Sequence, residues 1–481
     1  MAGELDAKLR RGTTLVGVAS GLTGALDLIS NLVCLWLWVS PAELGIATMA
    51  AALFPVLERI AALGLPVAMV RRADDDRRAL SSMFWLALAA SFVVLGLALA
   101  LAPAIGRAFH HPIVGGLVAA YAAKLCTQNL HFVPEAQLRR ALRFGTLSRI
   151  RVTQQVVDTA AKLAVAYLGG HGHPDLRIWC FAIGPIAGSL ALTIGLQLAQ
   201  PWRPALAFDS REALAAVRFG AQLSLSDLLY FAYTSCDYVV VGAAFGDAAL
   251  GAYRLAYEMV LDVVRLVSLV TGEVALPAFA RIAGDAREVG VQLVKLTRQN
   301  LVAVAPVLVV IAVAADDLLA ILYPPLEPAA PTAVRILCGV GALRAASFVL
   351  PPMLAGLGRA RAALAYNAIA AVVCPAAFAL AAALWPAAGF VSVAWAWLAS
   401  YPIAFCALLA MALSIAGVRG RDYARGVLPV AGWAAAALCA AVAARLALPA
   451  IPLVRAGGTA LATLAVYGAI LLAVRSRRRS T

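Results

Sequence analysis

Long apolar runs alternate with short polar ones along the whole chain. Each run holds about 20 residues, the length at which an α-helix crosses the hydrocarbon core of a bilayer. The runs predict fourteen spans, near residues 13–39, 45–70, 80–102, 113–135, 150–169, 176–199, 219–244, 248–277, 290–316, 331–357, 361–383, 387–415, 427–447 and 453–474. The opening MAGELDAKLRRG contains acids and precedes a run too long for a signal peptide with a cleavage site. Residues 1–12 therefore read as a cytoplasmic interfacial segment ahead of the first span.

The polar runs test the count. With the N-terminus inside, the cytoplasmic segments hold Lys8, Arg10 and Arg11, then Arg71, Arg72, Arg77 and Arg78, then Arg139, Arg140, Arg143, Arg149 and Arg151. The pattern continues through Arg203, Arg211 and Arg218 to the tail, with Arg475, Arg477, Arg478 and Arg479. The outer loops hold Arg107 and Arg177, with Arg445 and Arg455 at the margins of the last. Cytoplasmic loops carry the cations in multispan proteins, so the asymmetry supports fourteen spans with both termini in the cytoplasm.

Composition narrows the class. The 481 residues are 63% hydrophobic and 13% charged, too apolar for soluble cores. The net charge of +14 is dispersed over short loops on one side of a membrane, which argues against nucleic acid as a partner. All eight cysteines lie inside apolar runs without CxxC spacing, so neither disulfides nor a metal site is expected. No P-loop, Rossmann fingerprint or HExxH motif occurs. No catalytic residue and no cofactor is expected, and the chain does not read as an enzyme. The outer loops are too short for an extracytoplasmic catalytic domain, which weighs against a membrane glycosyl polymerase.

The chain also repeats itself. SPAELGIATMA at the second span matches GDAALGAYRLA at the eighth when Gly45 is set on Gly251, an offset of 206 residues. Asn31 then falls on Asp237 and Arg59 on Arg265. Six spans separate the copies, so the repeats run parallel, related by an axis along the membrane normal. The last two spans lie outside the repeat.

The stretches SPAELGIATMAAALFPVLERIAALGLPVAMVRRADD, FGAQLSLSDLLYFAYTSCDYVVVGAAFGDAALGAYRLAYEMV and LPAFARIAGD resemble the polysaccharide transporter family, which includes the Wzx-type flippases. That family shares a superfamily with multidrug exporters of the MATE type and the lipid II flippase. The resemblance implies an all-α membrane protein of two pseudo-symmetric six-helix bundles, MATE-like, plus two C-terminal helices. On this chain the bundles fall at 13–200 and 219–417, joined by a cytoplasmic linker at 201–218, with the extra helices at 427–474. It further implies movement of an undecaprenyl-pyrophosphate-linked oligosaccharide across the bacterial inner membrane. The implied partners are that substrate, membrane lipids, and the polysaccharide polymerase and glycosyltransferases of the same pathway. A cation-coupled multidrug exporter on the same fold is the alternative.

Charges inside the spans are the candidate chemistry, because each costs roughly 2.5–3.5 kcal/mol at mid-membrane unless protein or water faces it. In YRLAYEMVLDVVRLVSLV, a regular helix sets Arg254, Glu258, Asp262 and Arg265 at roughly 0°, 40°, 80° and 20°, one polar stripe. The stripe either lines a cavity for a charged head group or neutralises itself as Arg254–Glu258 and Asp262–Arg265 pairs. Asp158 and Lys162 have the spacing of a salt bridge. Arg59 has no acid at three or four residues on its own helix. Asp27 or Asp158 from another span holds it, or it faces an anion. Arg59, Lys124, Arg254, Arg265 and Arg344 are thus candidate contacts for pyrophosphate and sugar, with Arg59 and Arg265 expected to bind the pyrophosphate together. Asp27, Glu58, Asp158, Glu258 and Asp262 are candidate ion-coupling residues.

Overall fold

The computed structural model describes every residue except 1, 66–68, 70–75, 142, 175, 324–326, 480 and 481. Arg71 and Arg72 lie outside the described residues, as do the side chains of Lys8, Arg10, Arg11, Arg140, Arg475, Arg477, Arg478 and Arg479. The described chain is helical, with short connections and no strand.

Packing divides it into two compact units, Met1–Gly251 and Ala252–Thr481. The first contains α1 (Ala2–Leu37), α2 (Pro41–Ala62), α3 (Arg77–Ala108), α4 (Pro112–Asn129), α5 (Phe132–Arg140), α6 (Phe144–Gly170), α7 (Leu176–Ala199), α8 (Ser210–Phe245) and the start of α9 (Asp247–Tyr257). Helix α1 runs unbroken through the expected interfacial segment into the first span. Helix α8, which the repeat sets at the head of the second copy, packs in the first unit. A β-carbon at its Gly242 would lie 3.0 Å from the Met49 methyl of α2.

In the second unit a single π turn (Glu258–Asp262) follows α9 and leads into α10 (Val263–Arg281). Then come α11 (Ala286–Val313), α12 (Ala315–Leu322), α13 (Ala330–Ser347), α14 (Leu350–Gly356), α15 (Ala360–Leu384), α16 (Val391–Ala416), α17 (Gly420–Ala447) and α18 (Pro452–Arg479). Helices α17 and α18 pack on α11 through Val309, Val313, Ala437, Ala441 and Tyr467.

Eleven helical stretches among the described residues are long and apolar enough to cross a membrane. The expected spans at 113–135, 150–169 and 248–277 are not among the eleven. Those three carry Lys124, the Asp158–Lys162 pair, and the Arg254–Arg265 stretch. Asp27, Glu58, Arg59 and Arg344, by contrast, lie on stretches that are among the eleven.

Caps and prolines set the breaks. Ser40 and Glu43 close a capping box at α2: the Glu43 amide donates to Ser40 Oγ (3.2 Å) and the Ser40 amide to Glu43 Oε2 (2.7 Å). The expected span 113–135 ends at Asn129, and the chain turns at Leu130–His131 into the short α5. The expected span 331–357 likewise breaks after Ser347, where Pro351 and Pro352 open α14, because proline suits the first turn of a helix.

Contacts between loops join segments that the span count assigns to one face. Arg77 donates from Nε (3.3 Å) and Nη2 (3.2 Å) to the Arg203 carbonyl, linking two expected cytoplasmic segments. His111 and Asp247, both in expected outer loops, approach to 3.6 Å. Asp316, in an expected outer loop, meets Arg445 at the margin of another and Arg335 near the outer end of the expected span 331–357.

The two glycines that the expected repeat aligns make a reciprocal contact. A β-carbon at Gly45 would overlap the Asp247 carbonyl, and one at Gly251 would overlap the Pro41 carbonyl. The offset that sets Gly45 on Gly251 also sets Pro41 on Asp247. Each copy thus places its glycine against the first helical residue of the other, and any side chain there would force the backbones apart.

Candidate functional site

The intramembrane charges fall into two kinds of setting. In the first unit, Lys162 of α6 is buried, 3% exposed, in a ring of oxygens. Its Nζ donates to Asp27 Oδ1 (2.7 Å), Ser30 Oγ (3.2 Å) and Asn31 Oδ1 (3.1 Å), and lies 4.0 Å from Asp158 Oδ1. Three of these come from one face of α1, since residues three and four apart on a helix are neighbours. Asp158 fits because α7 carries Gly184 and Gly188 opposite it. A β-carbon at 184 would sit 2.7 Å from Asp158 Oδ1, and one at 188 would sit 3.0 Å from Asp158 Cβ.

Asp27 and Asp158, expected as possible holders of Arg59, are thus both gathered at Lys162. Arg59 of α2 instead lays its guanidinium over the Phe231 ring of α8, 5.0 Å from the centroid. Its neighbour Glu58 accepts from Gln128 Nε2 (3.0 Å) on α4. One turn before Gln128, Lys124 places its ammonium 4.7 Å from the Phe54 centroid.

In the second unit the expected stripe divides. Arg254 Nε donates to Glu258 Oε1 at 2.6 Å, with both side chains mostly buried (21% and 11% exposed). Arg265 Nε donates to Asp262 Oδ1 at 3.2 Å, with both exposed (64% and 45%). The π turn, whose first and last residues are Glu258 and Asp262, accounts for the division. It adds one residue to a single turn and rotates the helix beyond it by about 100°, so four residues on one face of a regular helix no longer share a face. Tyr323, in the connection after α12, lies close enough to feel Glu258 and Asp262. Burial first, then those carboxylates, push its phenol above the ordinary tyrosine value.

Arg344 of α13 sits among rings. Its guanidinium lies 4.7 Å from Trp397, 5.6 Å from Tyr401 and 5.9 Å from Tyr257, and Nη1 donates to Tyr257 Oη (3.1 Å). The rings are fixed in advance. Trp397 and Tyr401 are one turn apart on α16, Phe378 backs Trp397 at 4.8 Å, and the Tyr401 and Ser347 hydroxyls share a 2.8 Å hydrogen bond. Asn300 also ties α13 by donating to the Ala345 carbonyl (2.8 Å).

Sequence reasoning passed over Phe231, Phe54, Tyr257, Trp397 and Tyr401 as holders of cations. The i, i+4 spacing of Trp397 and Tyr401 was the available signal, together with the paired glycines of α7.

Chemically, the oxygen ring neutralises a cation, whereas a ring face attracts one without cancelling its charge. Stacked arginines keep a planar fork that matches phosphate oxygens.

The family described as "Polysaccharide biosynthesis protein" matches residues 38–324. The chain is 23% identical over 308 residues to the amylovoran biosynthesis protein AmsL of Erwinia amylovora, covering 63% of this chain and 78% of that one. It is 23% identical over 337 residues to the lipopolysaccharide biosynthesis protein WzxC of Escherichia coli K12, covering 68% of this chain and 65% of that one, just under two thirds of the relative's length. Among solved structures, the lipid II flippase MurJ in an inward closed conformation superposes with a TM-score of 0.76 at 12% identity, covering 95% of this chain and 98% of that one.

Proposed function

The chain belongs to the polysaccharide biosynthesis protein family, and from that premise we propose that it is a flippase for a lipid-linked oligosaccharide. In this reading it moves an undecaprenyl-pyrophosphate-linked repeat unit across the bacterial inner membrane by alternating access, for exopolysaccharide or O-antigen synthesis. It does so as a multispan transporter of fourteen helices, two six-helix repeats and two added C-terminal helices, with both termini in the cytoplasm. The like-with-like loop contacts and the reciprocal glycines support that layout. The observation that carries the reading is the pairing of a polysaccharide-biosynthesis sequence with the fold of a lipid flippase.

Arg59, Lys124 and Arg344 are the foremost substrate contacts in this proposal: ring faces lie against all three cations, and the two arginines carry the planar fork that matches phosphate oxygens. Arg254 and Arg265 are substrate contacts that the anion must win from Glu258 and Asp262. The acids proposed for ion coupling, Asp27, Glu58, Asp158, Glu258 and Asp262, each lie beside a cation or an amide. That arrangement favours an anionic cargo over the cationic drugs of the alternative reading.

The test is deletion of the gene followed by complementation. Surface polysaccharide should disappear and lipid-linked oligosaccharide should collect in the inner leaflet, and the intact chain should reverse both. Normal surface polysaccharide in the deletion strain would end the reading.

A further inference from the structure

A second charged cluster lies in the first unit, away from the cations described above. It borders a cavity of about 130 Å³ between α1, α5 and α6, lined by Ser20, Thr23, Arg139, Leu147, Ser148 and Arg151 among others. A single carboxylate organises it. Glu135, 16% exposed, accepts from Arg139 through Nε (3.2 Å) and Nη2 (2.7 Å), and from Arg151 through Nη2 (2.8 Å). His131 Nε2 stands 3.9 Å from the other oxygen of Glu135.

Two guanidiniums and one carboxylate leave a net positive charge. Each guanidinium has five N–H groups, so both retain donors beyond those given to Glu135. The carboxylate fixes their directions in advance, which lowers the entropic cost of a further hydrogen bond. The cavity also meets a buried hydroxyl with an unmet need: Ser148, 7% exposed, has an Oγ without a hydrogen-bond partner. A buried donor left unmatched is destabilising, and a ligand oxygen would satisfy it. The space is roughly ten times what one water requires. It admits a small oxyanion with its waters and is too small for a sugar chain.

We propose that this cavity binds a phosphate or pyrophosphate group, with Arg139 and Arg151 donating to its oxygens, the Ser148 hydroxyl as a third donor, and Glu135 as the positioning residue for both arginines. Planar, paired guanidiniums recognise such groups through forked, charge-assisted hydrogen bonds. The group comes either from a lipid head group or from a free anion. The link to a lipid-linked sugar rests on the flippase reading, but the binding itself does not.

The test uses the purified full chain in detergent, titrated calorimetrically with inorganic pyrophosphate at constant ionic strength. Saturable binding is expected. Removing both arginines alone would strand the Glu135 carboxylate, so the variant is Glu135→Gln with Arg139→Gln and Arg151→Gln. It should weaken binding about tenfold or more, since hydrogen bonds from charged groups are the stronger ones. Ser148→Ala, which leaves the ion cluster whole, should weaken it about threefold. No binding by the wild type, or equal binding by Ser148→Ala, overturns the site whether or not the triple variant folds.

In nanodiscs of neutral lipid, displacement of pyrophosphate by added polyprenyl pyrophosphate identifies a lipid-linked source, and displacement by phosphatidylglycerol identifies the bulk bilayer. Displacement by neither leaves the free anion as the ligand. Failure of binding in a protein whose gene still restores polysaccharide export would remove this site and leave the flippase reading intact. Binding by a protein that does not restore export would do the reverse.

Discussion

Lys162 and Arg344 are both cations held inside helical bundles, and they are held in opposite ways. Lys162 is ringed by oxygens, with one carboxylate at 2.7 Å and another at 4.0 Å. Arg344 is walled by Trp397, Tyr401 and Tyr257 at 4.7–5.9 Å from their centroids. The carboxylates cancel the ammonium's charge, whereas a ring face attracts a guanidinium through its quadrupole. The first arrangement locks α1 to α6. The second sets a guanidinium fork against aromatic walls. The contrast makes a burial count a poor guide to function, because what surrounds a buried charge decides what it can do.

The largest expected effect breaks the lock. Lys162→Met should leave Asp158 buried without its cation, at a cost on the order of 3 kcal/mol or more. Asp27, half-exposed, adds less because water can still reach it. The purified variant should melt well below the wild type, and adding Asp27→Asn and Asp158→Asn should recover most of the loss. Equal melting temperatures for wild type and Lys162→Met would show that the oxygens are not a lock.

Arg344 should behave the other way. Arg344→Gln is expected to accumulate and fold, yet to cut polysaccharide export about tenfold. Arg344→Lys should fall between, since an ammonium still stacks but loses the forked contact. Export equal to wild type in the Gln strain, with protein level checked by immunoblot, would remove Arg344 from the candidate site.

The two pairs flanking the π turn sharpen the comparison on a single stretch of chain. Arg254→Gln breaks a 2.6 Å pair that is mostly buried and should destabilise by about 1–3 kcal/mol. Arg265→Gln breaks an exposed pair and should change stability by less than about 1 kcal/mol. Parallel denaturation of the two purified variants checks the ranking, and a reversed order would mean that exposure is not what separates them.

Much of the fold was legible in the sequence, for a physical reason. Burying backbone in a bilayer demands helices, and apolar length reveals them, so most spans could be read directly. Their ends were harder, because caps and turn prolines at Ser40, Leu130 and Pro351 set them, and such breaks are local. The pairs at three or four residues along one helix, Arg254–Glu258 and Asp262–Arg265, were legible because helical spacing fixes them. The π turn was not legible, and it separated the pairs. Partners supplied by other helices were also hidden: Asp27 for Lys162, Phe231 for Arg59 and Trp397 for Arg344 arise from packing, to which no spacing along one helix points.

The smallest expected effect tests the lock's chemistry where water can reach it. Asp316 accepts from both Arg335 and Arg445, and Arg445 also reaches Asp317 Oδ2 at 3.2 Å, so the cluster ties α17 to α12 and α13. It resembles the Lys162 ring in placing opposite charges together, but Asp316 and Arg335 are each about two-fifths exposed. Solvent screening limits such a cluster to about 0–1 kcal/mol. Asp316 lies between the apolar stretches 286–313 and 330–356. Burial alone would raise its carboxyl, but the Arg445 hydrogen bond and the nearby Arg335 and Arg445 charges outweigh that and hold it below the usual carboxylate range. A carboxyl depressed in the folded state adds stability above its unfolded value, near 4, and that stability is lost as pH falls through the lower folded value. The wild type should therefore melt slightly above Asp316→Asn at pH 7, by about a degree or two. The gap should persist at pH 5 and close as the solution is taken well below pH 4. Melting of both proteins in the same detergent across that range measures it. A gap that stays constant into strong acid would mean that Asp316 acts through packing and not through its charge.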